Sequence, residues 1–356
     1  MKRMLISGIC GFVGSTIALR LRELSAGMEI LGFDNFSRPG SELNRLVLKR
    51  HGIAVRHADA RNATDMEALP AVDWVIDAAA NPSVLAGVDG QTSSRQVVEH
   101  NLSGTINLLE YCKTHRAGFI LLSTSRVYSI PPLAKLKVIS RDNAFLPDPA
   151  VVMPPGMTAA GVAEDFSTAP PVSIYGSTKL ASELLALEYG QSFQFPVWIN
   201  RCGVLAGAGQ FGRPDQGIFS FWINAHLRRR PLKYIGFDGR GHQVRDCLHP
   251  QDLVPALLAQ MDYRGNDRPR IANFSGGSNN TMSLAQLTAW CDARFSQHTI
   301  ASDANPRPFD IPWMVLDSSL AAKEWNWSPK ISVPQVLDEI VRHAEQNPDW
   351  LEISNS

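Results

Sequence analysis

The first half of the chain alternates short apolar runs with amphipathic segments. The apolar runs are rich in Val, Ile and Leu, which is typical of strands buried on both faces of a sheet. The amphipathic segments have the spacing of helices. The predicted strands are residues 4–7, 29–33, 54–57, 74–78, 119–123 and 196–201, and the predicted helices are 13–23, 98–114 and 176–189. This alternation predicts an α/β fold built on a parallel, doubly wound sheet of the Rossmann type.

Two segments depart from the alternation. Residues 129–172 are rich in proline and only weakly periodic, which predicts a structureless flap or an insertion. Beyond about residue 204 the alternation fades and loop signals multiply. We therefore expect a Rossmann domain over residues 1–203 that contains the flap. Residues 204–356 are expected to form a smaller α/β substrate-binding portion that partly returns to the Rossmann core.

Composition excludes several classes of protein. The 356 residues contain 34 basic and 34 acidic side chains, so neither nucleic acid nor an anionic membrane is an expected partner. The 5 cysteines are scattered without ligand spacing, which predicts core residues and no metal site. No apolar stretch approaches the roughly twenty residues of a membrane span. The N-terminal apolar run becomes a first strand, and a cytoplasmic location is expected.

A glycine pattern follows the first predicted strand and precedes the first predicted helix. Gly8, Gly11 and Gly14 allow a tight turn, and the helix N-terminus that follows can bind a pyrophosphate. Asp34 ends the second strand, where a carboxylate accepts bonds from ribose hydroxyls and repels the extra phosphate of NADP. NAD is therefore the expected cofactor, although the nearby Arg38 favours NADP.

Further cofactor contacts are expected around this loop. Asp59 follows the third strand and is placed to meet the adenine amine, and its alternative role is a helix N-cap. The whole expected set before the middle of the chain is Gly8, Gly11, Phe12, Val13, Gly14, Asp34, Asn35, Ser37, Arg38, Asp59, Ala60, Ala78, Ala79, Ala80 and Asn101.

Tyr175 and Lys179 share one face of a predicted helix. The Lys charge can lower the pKa of the phenol, so the Tyr can take a proton from an alcohol near neutral pH. The alternative is a Tyr packed over a Lys stem. Together with the glycine loop, the pair resembles the extended short-chain dehydrogenase/reductase family, also described as NAD-dependent epimerases and dehydratases.

The resemblance implies roles for individual residues. Thr124 completes a Thr124-Tyr175-Lys179 catalytic triad, although Ser123 and Ser125 offer hydroxyls close by. Tyr175, Lys179 and Arg201 are also implied as cofactor contacts. Arg245 and Arg307 match positions where family members clamp the diphosphate of a nucleotide sugar, and the plain alternative is a surface salt bridge.

Residues 78–90, 122–130, 200–204 and 215–217 look like the CDP-paratose 2-epimerases, a group within this family. That likeness implies a CDP-sugar substrate, epimerised at C2 through a 2-keto sugar, and a homodimer or homotetramer. The implied substrate contacts are Ser83, Thr124, Ser125, Arg126, Gln210, Asp215, Gln216, Gly217, Tyr234, Arg245 and Arg307.

Other activities of this fold suit the residues less well. A 4,6-dehydratase needs an acid and a base directly after the triad Thr, where this chain has Ser125 and Arg126. Many epimerases place an Asn where this chain has Val204, which makes 4-epimerisation of a UDP-sugar a weaker alternative. Asp34 disfavours a reductase that uses NADPH. The intact triad disfavours a binding protein that merely senses the cofactor.

Overall fold

A seven-stranded parallel sheet forms the centre of the protein in a computed structural model that describes residues 2–88, 90, 93–214 and 216–355. The first five strands are β1 (Arg3–Ser7), β2 (Glu29–Asp34), β3 (Ala54–His57), β4 (Trp74–Asp77) and β5 (Gly118–Thr124). The order across the sheet places β1 between β4 and β2, so the chain reverses its direction of winding there. Ligands of such sheets bind outside the carboxyl ends of the strands at this reversal. The predicted fold class is confirmed.

Helices cover both faces of the sheet because its strands are apolar on both sides. In the first half they are α1 (Phe12–Leu24), α2 (Ser41–Arg50), α3 (Ala63–Glu67), α4 (Ser94–Val98) and α5 (Gly104–His115). Ile17 and Leu21 of α1 are buried against one face, and Leu108 and Leu109 of α5 against the other. A π-helical turn, Glu99–Ser103, separates α4 from α5, so the single helix predicted over residues 98–114 is interrupted.

The proline-rich segment is folded, and the prediction of a structureless flap is wrong. It contains α6 (Ile130–Ala134), a hairpin of β6 (Val138–Arg141) and β7 (Ala144–Pro147), and a smaller hairpin of β8 (Met157–Thr158) and β9 (Gly161–Val162). Asp142 and Asn143, at the hairpin turn, both have positive φ, which suits a type I′ turn. That Asp-Asn pair is a local hairpin signal that periodicity alone does not reveal.

Two elements follow the insertion and bring the chain back to the sheet. Helix α7 (Ser173–Phe193) leads to β10 (Val197–Cys202), which pairs in parallel with β5. The carboxyl end of β5 therefore lies beside the carboxyl end of β10, and α7 packs on β5.

The remaining chain contributes to the main sheet and to a separate layer. Its elements are α8 (Ile218–Leu227), β11 (Lys233–Ile235), β12 (Val244–Asp246), α9 (Val254–Asp262), β13 (Ile271–Phe274), β14 (Thr281–Ser283), α10 (Leu284–Phe295), β15 (Ala301–Asp303), β16 (Trp313–Met314), α11 (Ser319–Trp325), α12 (Val333–Gln346) and α13 (Trp350–Asn355). Strand β13 pairs with β10 as the edge of the main sheet. Helices α8, α10 and α12 enclose a third core that includes Ile223, Leu287 and Leu337. The boundary between residues 203 and 204 stays a prediction.

None of the helices in the described part of the chain is long and apolar enough to cross a bilayer.

Asp246, at the end of β12, ties the C-terminal portion to the sheet. Its carboxylate accepts bonds from the Val204 amide at 3.1 Å, the Leu316 amide at 3.3 Å and the Ser275 hydroxyl. Gly203 leaves the room for it, because a Cβ there would overlap the carboxylate. One buried group thus fixes three separate segments.

We expect Asp246→Ala to lower the free energy of unfolding by about 2–4 kcal/mol, because three buried donors lose their acceptor. Urea denaturation followed by tryptophan fluorescence measures the change. Glu345→Ala, at an exposed position of α12, is the control and should change little. Equal stability of the two variants would contradict this role for Asp246.

Candidate active site

The glycine loop joins β1 to α1 in the way that the sequence predicts. Gly8 has φ +61° and lies against the end of β4, where an added Cβ would be 2.9 Å from Ala79 Cα. An added Cβ at Gly14 would overlap the Gly8 carbonyl oxygen. Gly11 is the N-cap of α1 and supplies no side-chain bond to it. The amides of the first turn are therefore available to an anion such as a pyrophosphate.

Asp34 lies at the carboxyl end of β2 beside this loop. Its carboxylate accepts the Cys10 amide at 3.0 Å and the Phe36 amide at 2.8 Å, and burial raises its pKa. A carboxylate has about four lone-pair sites, so it can still accept bonds from ribose hydroxyls. Arg38 instead donates to the Phe211 carbonyl at 2.7 Å and to Gln216 Oε1 at 3.2 Å. Arg38 is thus engaged with the segment around residues 211–216, which does not favour NADP.

Asp59 lies beside the residue that follows Asp34, at the same edge of the sheet. Asn35 Nδ2 donates to Asp59 Oδ2 at 3.1 Å, and Arg61 pairs with the same carboxylate at 2.6 Å. Arg61 holds the pKa of Asp59 far below its usual value. The N-cap of α3 is Asn62, whose side chain accepts the Thr64 amide, so the alternative role of Asp59 as the cap is wrong. The Ser37 amide donates a hydrogen bond to the Asn35 side chain. Ala60 packs against Gly104, where an added Cβ would lie 3.1 Å from the Ala60 Cβ.

The end of β4 forms an open floor next to the glycine loop. Ser7 Oγ accepts the amides of Ala78 and Ala79 at 3.0 Å each and donates to Asp77 at 2.7 Å. Ala78 and Ala79 are partly exposed and Ala80 is exposed. Small side chains at this place leave the surface free for a flat ligand.

Asn101 lies in the π-helical turn, a kind of helix interruption that is frequent at functional sites. Its side chain accepts the Asn81 amide at 2.8 Å and donates to Thr178 Oγ1, on α7, at 3.2 Å. The Asn101 carbonyl accepts from the Thr105 hydroxyl at 2.9 Å. Asn101 therefore joins the end of β4 to the helix that carries Tyr175, which fits a structural role beside the predicted cofactor contact.

The three predicted catalytic residues meet at the end of β5. Thr124 ends that strand, and its hydroxyl is hydrogen-bonded to the phenol of Tyr175 on α7. A Cβ at Gly176 would overlap the Arg126 carbonyl oxygen, so α7 approaches the turn after β5 more closely than any larger residue would allow. Lys179 lies one turn further along the same face and is 2% exposed.

Burial dominates the pKa values of this pair. It raises the pKa of the Tyr175 phenol, against which the Thr124 hydrogen bond and the nearby Arg126 charge act. It lowers the pKa of Lys179, against which Asp77 and Glu183 act. The charge that lowers the phenol pKa here is that of Arg126, whereas the sequence led us to expect Lys179. Among the described residues no carboxylate pairs directly with the Lys179 ammonium, which leaves that donor for a ribose hydroxyl.

A second layer of charges supports the triad and was not predicted from the sequence. Glu183, one turn beyond Lys179, pairs with Arg201 of β10 at 2.7 Å and accepts the Ser123 hydroxyl of β5. Arg201 also donates to Tyr128 at 3.2 Å and to the Glu164 carbonyl at 3.3 Å. These partners favour a positioning role for Arg201 over the predicted cofactor contact. Tyr175, Lys179 and Glu183 are spaced four residues apart and so share one face of the helix. This spacing was the sequence signal that could have indicated Glu183.

Three arginines come together where the substrate contacts were predicted. Arg126, Arg245 and Arg307 are close enough for the charges of the other two to lower the pKa of the Arg126 guanidinium, although burial lowers it more. Asp310 faces them, 3.3 Å from Arg245, and also accepts from Gln243 at 3.1 Å. This cationic group lies next to Tyr175, since the phenol and Arg126 also interact electrostatically.

The other predicted substrate contacts are dispersed. Ser83 is buried in the loop that follows β4, and Ser125 is buried in the turn after Thr124. Gln210 packs against Gly217. Gln216, the residue before Gly217, accepts a bond from Arg38. Asp215 lies outside the described residues. Tyr234 stacks on Trp222 and donates to Thr288 at 2.6 Å, which indicates a packing role for it.

Comparison with known proteins agrees with this geometry. Residues 4–274 match the family described as "NAD dependent epimerase/dehydratase family". The chain belongs to that family. It is an NAD-dependent epimerase, an isomerase, and the glycine loop, Asp34 and the floor at Ala78–Ala80 fit NAD.

Similar proteins include relatives with two different named activities. A CDP-paratose 2-epimerase of Salmonella typhi is 27% identical over 93% of this chain and 95% of its own length. A UDP-glucuronate 4-epimerase of Thermodesulfobacterium geofontis (strain OPF15) is 27% identical over 96% of each chain. A Bacillus cereus UDP-glucuronic acid 4-epimerase, solved in complex with NAD, is 25% identical with a TM-score of 0.74, covering 97% of this chain and 99% of that one.

We expect Asp34→Asn to weaken NAD binding at least about tenfold, because a charged acceptor becomes a neutral one. The variant should gain no comparable affinity for NADP, because Arg38 is held by Phe211 and Gln216. Calorimetric titration of both cofactors into protein stripped of nucleotide gives the two affinities. Asp262→Asn, at the exposed C-terminal end of α9, is the control, and unchanged NAD affinity in Asp34→Asn would rule out the ribose contact.

Proposed function

We propose that this protein inverts C2 of CDP-paratose, or of a related CDP-hexose, through a 2-keto sugar. The observation that carries the proposal is the Thr124–Tyr175–Lys179 group beside a glycine loop on one side and the arginine group on the other. The base thus lies between a cofactor site and an anion site, and this arrangement suits a sugar linked to a diphosphate. The similarity to the Salmonella typhi enzyme over nearly the whole chain supports CDP and C2.

The chain's own residues have separate roles in this reaction. Tyr175 takes the proton of the C2 hydroxyl as the C–H bond at C2 breaks, and Thr124 holds the reacting oxygen. Bound NAD supplies the acceptor and later the donor of the hydride. The keto sugar would then present its opposite face, and Tyr175 would give the proton back to the oxygen. Lys179, whose ammonium pairs with no carboxylate among the described residues, would hold the nicotinamide ribose.

Arg245 and Arg307 hold the diphosphate while the sugar turns. Arg245 is kept in place by bonds to the Val244 carbonyl at 2.8 Å and the Ile311 carbonyl at 3.0 Å. Asp310 orients its other nitrogen. A guanidinium fixed in this way can bind two phosphate oxygens at once. The half-buried position of Arg245 argues against the alternative of a surface salt bridge.

The second candidate is 4-epimerisation of UDP-glucuronate. It is supported by the Thermodesulfobacterium relative, which matches as much of the chain as the Salmonella one does. Val204 weighs against it, because an apolar side chain cannot replace the Asn that many 4-epimerases use near the sugar diphosphate. A 4,6-dehydratase is disfavoured by Ser125 and Arg126, neither of which can serve as the acid or base at C5 and C6.

We expect the purified protein to convert CDP-paratose to its C2 epimer without added cofactor, because the reaction regenerates NAD. Proton NMR identifies the product, with UDP-glucuronate as the competing substrate. Tyr175→Phe should lower the rate at least about a hundredfold. Tyr189→Phe, at the far end of the same helix, should not. Turnover of UDP-glucuronate alone would overturn the CDP-sugar assignment, and a normal rate in Tyr175→Phe would overturn the mechanism.

The outer faces of α4, α5, α7 and the π-helical turn between α4 and α5 support a homodimer. Leu102 and Ile106 are only partly buried, Val98 is 38% exposed and Leu184 is 60% exposed. Two copies of this face would bury a four-helix contact. Light scattering should show a dimer or a dimer of dimers, and Leu184→Glu should dissociate that contact. Leu46→Glu is the matched control, because Leu46 of α2 is 61% exposed on another surface. A monomeric protein would refute this proposal.

A further inference from the structure

Arg126 is built into the catalytic turn by its backbone. Its amide donates to Thr124 Oγ1 at 3.2 Å, and its carbonyl lies against Gly176, the residue after Tyr175. The turn Ser125–Val127 therefore cannot move without moving the hydroxyl and the phenol of the triad. This position fixes where the Arg126 side chain begins.

The Arg126 guanidinium forms no ion pair among the described residues, although Asp310 is near enough for its charge to raise the pKa of Arg126. Its one hydrogen bond among the described residues is a long one, 3.4 Å to the Phe309 carbonyl. Within residues 2–88, 90, 93–214 and 216–355 no carboxylate pairs with it, and Asp310 is shared by Arg245 and Gln243. Burial and the neighbouring Arg245 and Arg307 lower its pKa to about 10.

A desolvated cation without its own counter-ion is costly to keep in a folded protein. Two anions of the proposed reaction could stabilise it. One is the substrate diphosphate, which Arg245 and Arg307 already face. The other is the negative charge that forms at the reacting oxygen and at Tyr175.

The groups around Tyr175 favour the second anion. The titratable groups that act on its phenol are Arg126, after β5, and Cys202, on β10. Lys179 follows one turn further along the same helix. Cys202 is a buried neutral thiol whose pKa is raised to about 12. Arg126 is thus the cation outside α7 that acts on the phenol.

We propose that Arg126 is the electrostatic partner of the general base, stabilising the phenolate of Tyr175 and the adjacent reacting oxygen, while Arg245 and Arg307 hold the diphosphate. This inference rests on the proposed role of Tyr175 as the base. It gives the members of the arginine group different functions, because one serves the chemical step and two serve binding.

The test is a spectroscopic titration of Tyr175 in the NAD-saturated protein. Subtracting the absorbance of a Tyr175→Phe protein isolates the phenolate of Tyr175 in each background. The backgrounds are the unaltered chain, Arg126→Gln, Arg126→Lys and Arg245→Gln. Calorimetric titration of CDP into the same proteins reports on the diphosphate contact.

We expect Arg126→Gln to raise the pKa of Tyr175 by about one unit or more, because a charge that favours the phenolate is lost. Arg126→Lys should restore part of the shift. Arg245→Gln should leave the pKa of the phenol unchanged and weaken CDP binding at least about tenfold. If Arg126→Gln fails to fold, Arg126→Met compared with Arg126→Lys makes the same test.

An unchanged pKa of Tyr175 in the charge-removing variant would overturn the proposal. If CDP binding also weakened as in Arg245→Gln, Arg126 would belong to the diphosphate clamp. The titration needs no turnover, so failure to convert CDP-paratose would defeat the proposed function and leave this result standing.

Discussion

The buried ion pair between Glu183 and Arg201 is the contact on which the catalytic geometry depends. It joins α7 to β10, and the Ser123 hydroxyl adds β5 to the same carboxylate. Both side chains are almost fully buried, at 1% and 5% exposure. Breaking such a pair on one side costs about 3–5 kcal/mol, because the remaining charge stays desolvated. Glu183 follows Tyr175 and Lys179 at intervals of four residues, so the contact that fixes the helix also fixes the phenol and the ammonium.

The cofactor end of the site is held by a different set of contacts that involve the last helix, α13. Trp350 of α13 stacks on Phe211 with ring centroids 5.2 Å apart and donates to the Gln210 carbonyl at 2.9 Å. The Phe211 carbonyl in turn accepts from Arg38, which follows Asp34 closely in the chain. Helix α13 therefore fixes the segment beside the predicted ribose contact. Trp350 and Gln210 are 140 positions apart in the sequence, and Arg38 and Phe211 are 173 positions apart. The packing brings these distant residues together beside the candidate cofactor site.

The sequence was informative where the signal was local. Apolar runs located the strands of the first half to within a residue or two, and the glycine loop and the Tyr175–Lys179 spacing located the site. The sequence was less informative where partners are distant in the chain. The resemblance implies a cofactor contact for Arg201, and nothing local in the sequence indicates its bond to Glu183. In the described part of the chain the one side-chain hydrogen bond of Arg126 is to Phe309, 183 residues away, so the surroundings of the guanidinium could not be predicted from spacing. The π-helical turn at Asn101 also depends on tertiary contacts.

The electrostatics of the site link substrate binding to chemistry. Burial favours the neutral form of both Tyr175 and Lys179, so it opposes the phenolate that the reaction needs. At Tyr175 the charge that acts against burial is that of Arg126. The charges of Arg245 and Arg307 repel it, which contributes to the lowered pKa of Arg126. A bound diphosphate relieves that repulsion, because negative charge enters beside Arg245 and Arg307. With a pKa of about 10, Arg126 is charged near neutral pH, so its charge acts on Tyr175 before the diphosphate arrives as well. The proposed reaction needs one cation near the phenol and two near the diphosphate, and the proposed division of the arginine group supplies both.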